Sequence, residues 1–181
     1  MILDRRHLIY AAALWPFAAQ AETASVGAPL IGPKTGKKIL VLDFEMIDTS
    51  NEPTDQREDH ARRLQIARDA IAHSLSAHET YVVLDRTPIQ SDIEAVLKQT
   101  YLRTCNGCEF DLARKLGADL VLLGVINKVS LLILSMNISI LRVADRELIF
   151  HQGFDFRGDS DRSYEKTGKY IADRLARTPV T

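Results

Sequence analysis

Apolar residues along this chain change period several times, and each change marks an element. Residues 39–44 form a compact apolar run that halts at the polar stretch 45–59, which predicts a first buried strand. Leu64, Ala67, Ile71 and Leu75 then recur at three- and four-residue steps, one apolar stripe against a charged back, and predict a helix over 59–78. Residues 81–84 read as a short strand closed by Asp85-Arg86-Thr87-Pro88. Ile89, Ile93, Val96 and Leu97 follow at helical spacing, with Ser91 as the expected cap. A third helix is expected at 109–116, stopped by Gly117, and a nearly continuous apolar strand at 119–126. From Leu132 onward, Leu134, Met136, Ile138 and Ile140 alternate with Ile133, Ser135, Asn137 and Ser139, the period of a long strand. Ala144-Asp145-Arg146 turns the chain into another strand at 147–156, and Tyr164, Gly168, Ile171 and Leu175 rebuild a helical stripe up to Arg177.

The order β-α-β-α-α-β-β-β-α puts helical crossovers between the first three strands, which makes them parallel, and joins the last strands closely enough to be antiparallel. The expected fold is therefore α/β: a single mixed β-sheet with helices on its faces, one domain over 38–178. Aliphatic residues are dense enough from 119 to 143 to raise the question of a membrane span. Gly124, Asn127, Lys128, Ser135, Asn137 and Ser139 would then lie in hydrocarbon, where unpaired polar groups cost several kcal/mol each, and the span is rejected.

The N-terminus follows a different pattern. Arg5 and Arg6 precede an apolar core at 8–18, and Ala19-Gln20-Ala21 supplies small residues where a signal peptidase reads. That core, broken by Pro16, is shorter than the roughly 20 residues a bilayer requires. Residues 1–21 are expected to be a cleaved signal peptide that sends the protein to the periplasm. Residues 22–37, with Gly27, Pro29, Gly32, Pro33 and Gly36, read as a flexible leader. No lipobox cysteine follows the segment, so no stable membrane anchor is expected. The remaining 160 of 181 residues suit one domain with a proper core. Losing Arg5, Arg6 and Asp4 leaves 21 basic and 23 acidic residues of the original 23 and 24. Such a balance excludes the basic stripe that nucleic-acid binding needs. Arg62, Arg63 and Arg68 stand at helical spacings from Glu58, Asp59 and Asp69 and read as a solvated helix face.

Four local features carry candidate chemistry. Cys105-Asn106-Gly107-Cys108 lacks the His that covalent haem attachment requires after the second Cys. In an exported chain with two cysteines it reads first as a structural disulfide, with thiol–disulfide exchange and metal binding as rivals. Asp43, Glu45 and Asp48 stand at and beyond the end of the first strand, where open α/β sheets gather ligands, and Asp85, Arg86, Asn127 and Lys128 would end neighbouring strands there. Those carboxylates suit a hard cation or acid–base work, whereas Asp48-Thr49-Ser50 equally suits turn and cap chemistry. In Arg157-Gly158-Asp159-Ser160-Asp161 the acidic pair resembles the start of a calcium loop, but the downstream Gly and Glu of that loop are missing and an N-cap of the last helix explains the residues more simply. No phosphate loop or nucleophile elbow is present, so no cofactor is expected.

Two resemblances accompany these residues. KKILVLDFEMID, YVVLDR and ARKLGADLVLLGVINKV resemble the periplasmic domains of the curli-secretion lipoprotein, the lipoprotein activator of penicillin-binding proteins and the N-terminal domain of TolB. DFEMIDTS, CNGC, LGADLVLLGVINKVSLLILSMNI and DFRGDSDRSY, in that order, resemble an exported bacterial family known only as a domain of unknown function. The resemblance implies a TolB N-terminal-like fold and a non-catalytic accessory module contacting another envelope protein or component. It also suggests a periplasmic quinoprotein oxidation system as partner. Two rival functions stay open: a thiol–disulfide or metal-dependent enzyme using Cys105 and Cys108 or the carboxylates, and a small-ligand carrier lined by Glu45, Asn127 and Asn137.

Overall fold

The computed structural model describes residues 36–178. The signal segment, nearly all of the leader and the last three residues lie outside the described residues. One six-stranded mixed sheet forms the centre. Its strands are β1 (Lys37–Val41), β2 (Glu45–Asp48), β3 (Tyr81–Val83), β4 (Leu120–Lys128), β5 (Leu134–Arg142) and β6 (Leu148–Phe156). The helices are α1 (Arg57–Ser76), α2 (Gln90–Leu97), α3 (Cys108–Lys115) and α4 (Asp161–Arg177). The sheet runs β3-β1-β4-β5-β6, with β2 also paired to β4. β1 pairs parallel with both β3 and β4, while β4, β5 and β6 form an antiparallel meander.

Strand alternation sends Ile39, Val41, Leu120, Leu122, Met136, Ile138 and Ile140 into a core beneath α1 and α4. Leu40, Leu42 and Val121 go to the other face, against Phe110, Leu112 and Ala113 of α3 and Ile93 of α2. Helices α1 and α4 meet closely at Gly168, where a Cβ would stand 2.9 Å from the Ala67 carbonyl oxygen, so only glycine fits.

Three details correct the sequence expectation. The first strand begins at Lys37, inside the stretch read as leader. It is also interrupted rather than ended: β1 and β2 are collinear on β4, but residues 42–44 oppose only residues 123 and 124, so one extra residue is inserted as a bulge. The polar stretch after Phe44 looked unable to continue a buried strand because of its polar composition. Phe44 nevertheless lays its ring over Gly124, where a Cβ would lie 2.5 Å from it. Finally, Ser91 is not a cap. A 3-10 turn at Thr87–Ile89 leads straight into α2, whose N-cap position is Ile89 with no side-chain hydrogen bond. Ser160 does cap α4, its side chain accepting a hydrogen bond from the Ser163 amide.

Candidate functional site

A closed cluster of charge lies where β2 and β4 end. Lys128, the last residue of β4, is fully buried and turns towards α1. Its Nζ stands 2.8 Å from Asp159 Oδ2, 3.0 Å from Glu52 Oε2, 2.9 Å from Gln56 Oε1 and 3.1 Å from His60 Nε2. Asp48 Oδ2 is 3.7 Å away. The other oxygen of Asp159 faces Arg63 Nη1 at 2.9 Å, and the Asp159 side chain is itself inaccessible. Gln56 also donates to Glu52 through its amide nitrogen. Four segments meet in this cluster: β4, the β2–α1 loop, the first turns of α1 and the β6–α4 loop.

Backbone chemistry builds the cradle. Asp48 Oδ1 accepts hydrogen bonds from the Ser50 amide at 2.9 Å and its hydroxyl at 2.6 Å, an Asx turn that bends the chain off β2. Thr49 donates its amide and its hydroxyl to the Lys128 carbonyl, at 2.9 and 3.2 Å, and so extends the β2–β4 ladder by one residue. Burial alone would raise the Asp159 carboxyl, but the Lys128 hydrogen bond and the Arg63 charge prevail and hold it below its ordinary value. Burial opposes charge on Lys128 as well, yet its hydrogen bonds to Asp159 and Glu52 hold the ammonium above its ordinary value. Tyr164, fully buried beside this cluster, is raised by burial first and then by the negative charge of Asp159. The arrangement is that of an internally neutralised lock: each cation already holds carboxylates.

Asp43 belongs to a different node. It lies in the bulge, and Arg86 grips it with two parallel hydrogen bonds of 2.7 Å each, while Arg68 donates to the same carboxylate. Burial would raise Asp43, but the two guanidiniums prevail and lower it. Gln90 Oε1 accepts from Arg86 at 2.9 and 3.2 Å, which joins α1, α2 and the bulge.

Glu45 forms a third node. Its carboxylate is buried against the backbone of the Leu102–Thr104 turn, accepting the Leu102 amide at 2.5 Å, the Arg103 amide at 3.3 Å and the Arg103 guanidinium at 2.8 Å. That turn leads into Cys105 and Cys108, which are paired in a disulfide with a Cα separation of 5.6 Å, Cys108 opening α3. Glu109 accepts the Gly107 amide at 3.1 Å, and its carboxylate lies 3.0 Å from Cys105 Sγ. Cys105, Cys108 and Glu109 offer ligand atoms within 4.8 Å of one another. With both sulfurs bonded to each other, no thiolate is offered to a metal.

The remaining predicted residues scatter. Asn127 lies opposite Ser135. Asn137 donates to the Val125 carbonyl at 3.4 Å and to Ser135 Oγ at 3.3 Å. Arg157 is exposed just after β6. The structure thus brings Asp48, Thr49, Ser50, Lys128 and Asp159 together and leaves Asp43, Glu45, Asn127, Asn137 and Arg157 elsewhere. Sequence reasoning missed Glu52, Gln56, His60, Arg63 and Tyr164. It had treated Arg63 and Arg68 as part of a solvated face, yet both are largely buried against Asp159 and Asp43. The signal was present, because His60 and Arg63 step at helical intervals into buried Ala67 and Ile71.

The chain matches a family model, DUF3280, described as a protein of unknown function (DUF2380), over residues 37–175. It belongs to that family. No curated protein matches it. Among solved structures it is similar to LpoB of Escherichia coli, at 14% identity and a TM-score of 0.49, over 86% of this chain and 84% of that one. It is similar to lipoprotein GNA1162 of Neisseria meningitidis, at 12% identity and a TM-score of 0.48, over 80% and 99%. TolB of Acinetobacter baumannii matches at 9% identity and a TM-score of 0.44, over 79% of this chain and 28% of that one. Among the described residues, no helix is long and apolar enough to cross a membrane.

Proposed function

We propose that this family member is a non-catalytic binding module of the bacterial periplasm, which contacts another envelope protein through the platform at the end of β2 and β4. One observation carries the reading: Lys128 pairs with Asp159 and Glu52, and Asp159 with Arg63, so the cluster ties the β2–α1 and β6–α4 loops to β4 and spends its charge internally. A site built for turnover keeps a base or nucleophile uncommitted and reachable. A site built for contact needs preorganised loops, because ordering them on binding would cost affinity. The β2–α1 loop, pinned by Lys128, and the first turn of α1 present exposed Asp55, Arg57 and Glu58 around a depression of about 490 Å³. The signal-like pattern of residues 1–21 supports the compartment. A quinoprotein oxidation system as partner rests on the sequence resemblance alone, as does the structural role of the disulfide on the compartment it implies.

The test is cross-linking in the periplasm with the tagged chain and with a D55K/E58K double variant. The expected outcome is one reproducible envelope protein with the wild type and its loss with the variant at unchanged thermal stability. Equal capture by both, or turnover of a substrate that depends on Cys105 or Lys128, would refute the reading.

A further inference from the structure

The turn between β4 and β5 has the wrong composition for water. Residues 129–133, Val-Ser-Leu-Leu-Ile, contain none of the Gly, Pro, Asn or Asp that ordinarily make exposed turns. Val129, Leu131, Leu132 and Ile133 are nevertheless 55%, 51%, 68% and 61% exposed. Sequence alternation had counted Leu132 and Ile133 into a long strand; the structure starts β5 at Leu134 and leaves them at the tip. Ile47, 40% exposed on β2, pairs with Asn127 two residues before the turn and extends the apolar end of the sheet.

Four of the tip's five backbone amides donate to acceptors within the tip. The amides of Val129 and Ser130 both donate to the Ile133 carbonyl, at 3.0 and 3.3 Å, and the Ile133 amide donates to the Ser130 carbonyl at 3.4 Å. Ser130, the one polar side chain, accepts the amides of Leu132 and Ile133 through its Oγ, at 3.3 and 3.2 Å. The Leu131 carbonyl accepts the Asp159 amide at 2.9 Å, which ties the tip to the buried charge cluster. A turn that stays in water has no need to satisfy its backbone internally, and one that packs on a protein meets donors and acceptors there. Hydrocarbon supplies neither, so a tip whose amides are already largely satisfied enters the interfacial layer at lower cost. Exposed Arg157 follows Phe156, which pairs with Leu134 beside the tip, and places a cation where lipid phosphates would lie.

We propose that residues 129–133 are a lipid-contacting tip that seats in the interfacial layer of an envelope bilayer and orients the module on its surface. The contact is peripheral, in keeping with a turn of five residues that is too short to span. It goes beyond the protein-contact reading and uses a different surface. The probe is L132W in the mature chain, which begins near Glu22 and so carries no other tryptophan, with vesicles of phosphatidylethanolamine and phosphatidylglycerol brominated in their acyl chains. The expected result is a blue shift and at least a halving of the added emission in L132W. L148W, also exposed but at the far end of β6, should show neither, and L131E/L132W/I133E should lose both while unfolding at the same temperature. Unchanged L132W emission, equal quenching of L148W, or a shift that appears only when envelope proteins are added would overturn the proposal. Because the vesicles contain no protein, failure here leaves the cross-linking result standing, and failure there leaves this one.

Discussion

Lys128 shows most sharply how a single residue organises this end of the molecule. An ammonium without water contact is tolerable only while its carboxylates remain, and its removal leaves Asp159 buried with Arg63 as its remaining charge partner. We expect Lys128→Met to cost about 3–5 kcal/mol, the range for breaking a buried pair from one side, measured by urea denaturation. The same node sets the pH response. Asp159 and Asp43 are held below their ordinary 3.8, so their contribution is complete above that value and is lost as pH falls through the lower native one. Lys128 is held above its ordinary 10.5, so its contribution is complete below 10.5 and is lost as pH rises through the higher native value. Thermal midpoints should therefore be flat between about pH 5 and 9 and fall at both extremes. In Lys128→Met the alkaline fall should lose the part that Lys128 supplies. A wild-type midpoint that declines through neutral pH would contradict this assignment.

Among the elements, the bulge joining β1 to β2 has the largest consequence. One inserted residue changes the face to which every later side chain on that strand points: Phe44 enters the α1/α4 core, Glu45 turns to the Leu102–Thr104 turn, and Asp48 returns towards Lys128. Without the insertion Glu45, not Phe44, would face that core. Phe44 fits only because Gly124 opposes it. Gly124→Ala should cost about 1–3 kcal/mol through overpacking, and Phe44→Leu in the same chain should recover part of it; full stability of the single variant would rule out the close approach. The helices and the long strands were legible in the sequence because each buries one face against a continuous core, so their periods survive in the residue order. β2 was not legible, since two of its four residues are carboxylates and the other two are partly exposed, and its partner is β4, eighty residues away. Caps were read unevenly for a similar reason: Ser160 acts on its own helix, whereas the entry to α2 is shaped by Asp85 accepting the Thr87 amide and hydroxyl and by Arg86 held on Asp43.

For the whole molecule, export is the property that the other readings presuppose. Protein recovered from periplasmic extract should begin near Glu22 by N-terminal sequencing, and recovery of chains starting at Met1 from cytosol alone would remove the envelope from the argument. Cleavage would also explain why a CNGC pair can stay oxidised. Local periodicity, composition and spacing were enough to establish the α/β class, the mixed sheet with its antiparallel meander and the aliphatic core, because all of these depend on neighbours in sequence or on the average character of a segment. They also marked Asp48, Lys128 and Asp159 singly as candidates. Which charges meet was decided only in three dimensions. Asp43 and Asp48 stand five residues apart yet serve separate nodes, while Lys128 reaches Glu52 and Asp159 across 76 and 31 positions. Coulomb and hydrogen-bond energies depend on distance in space and on exclusion of water, and neither quantity is written in the order of residues.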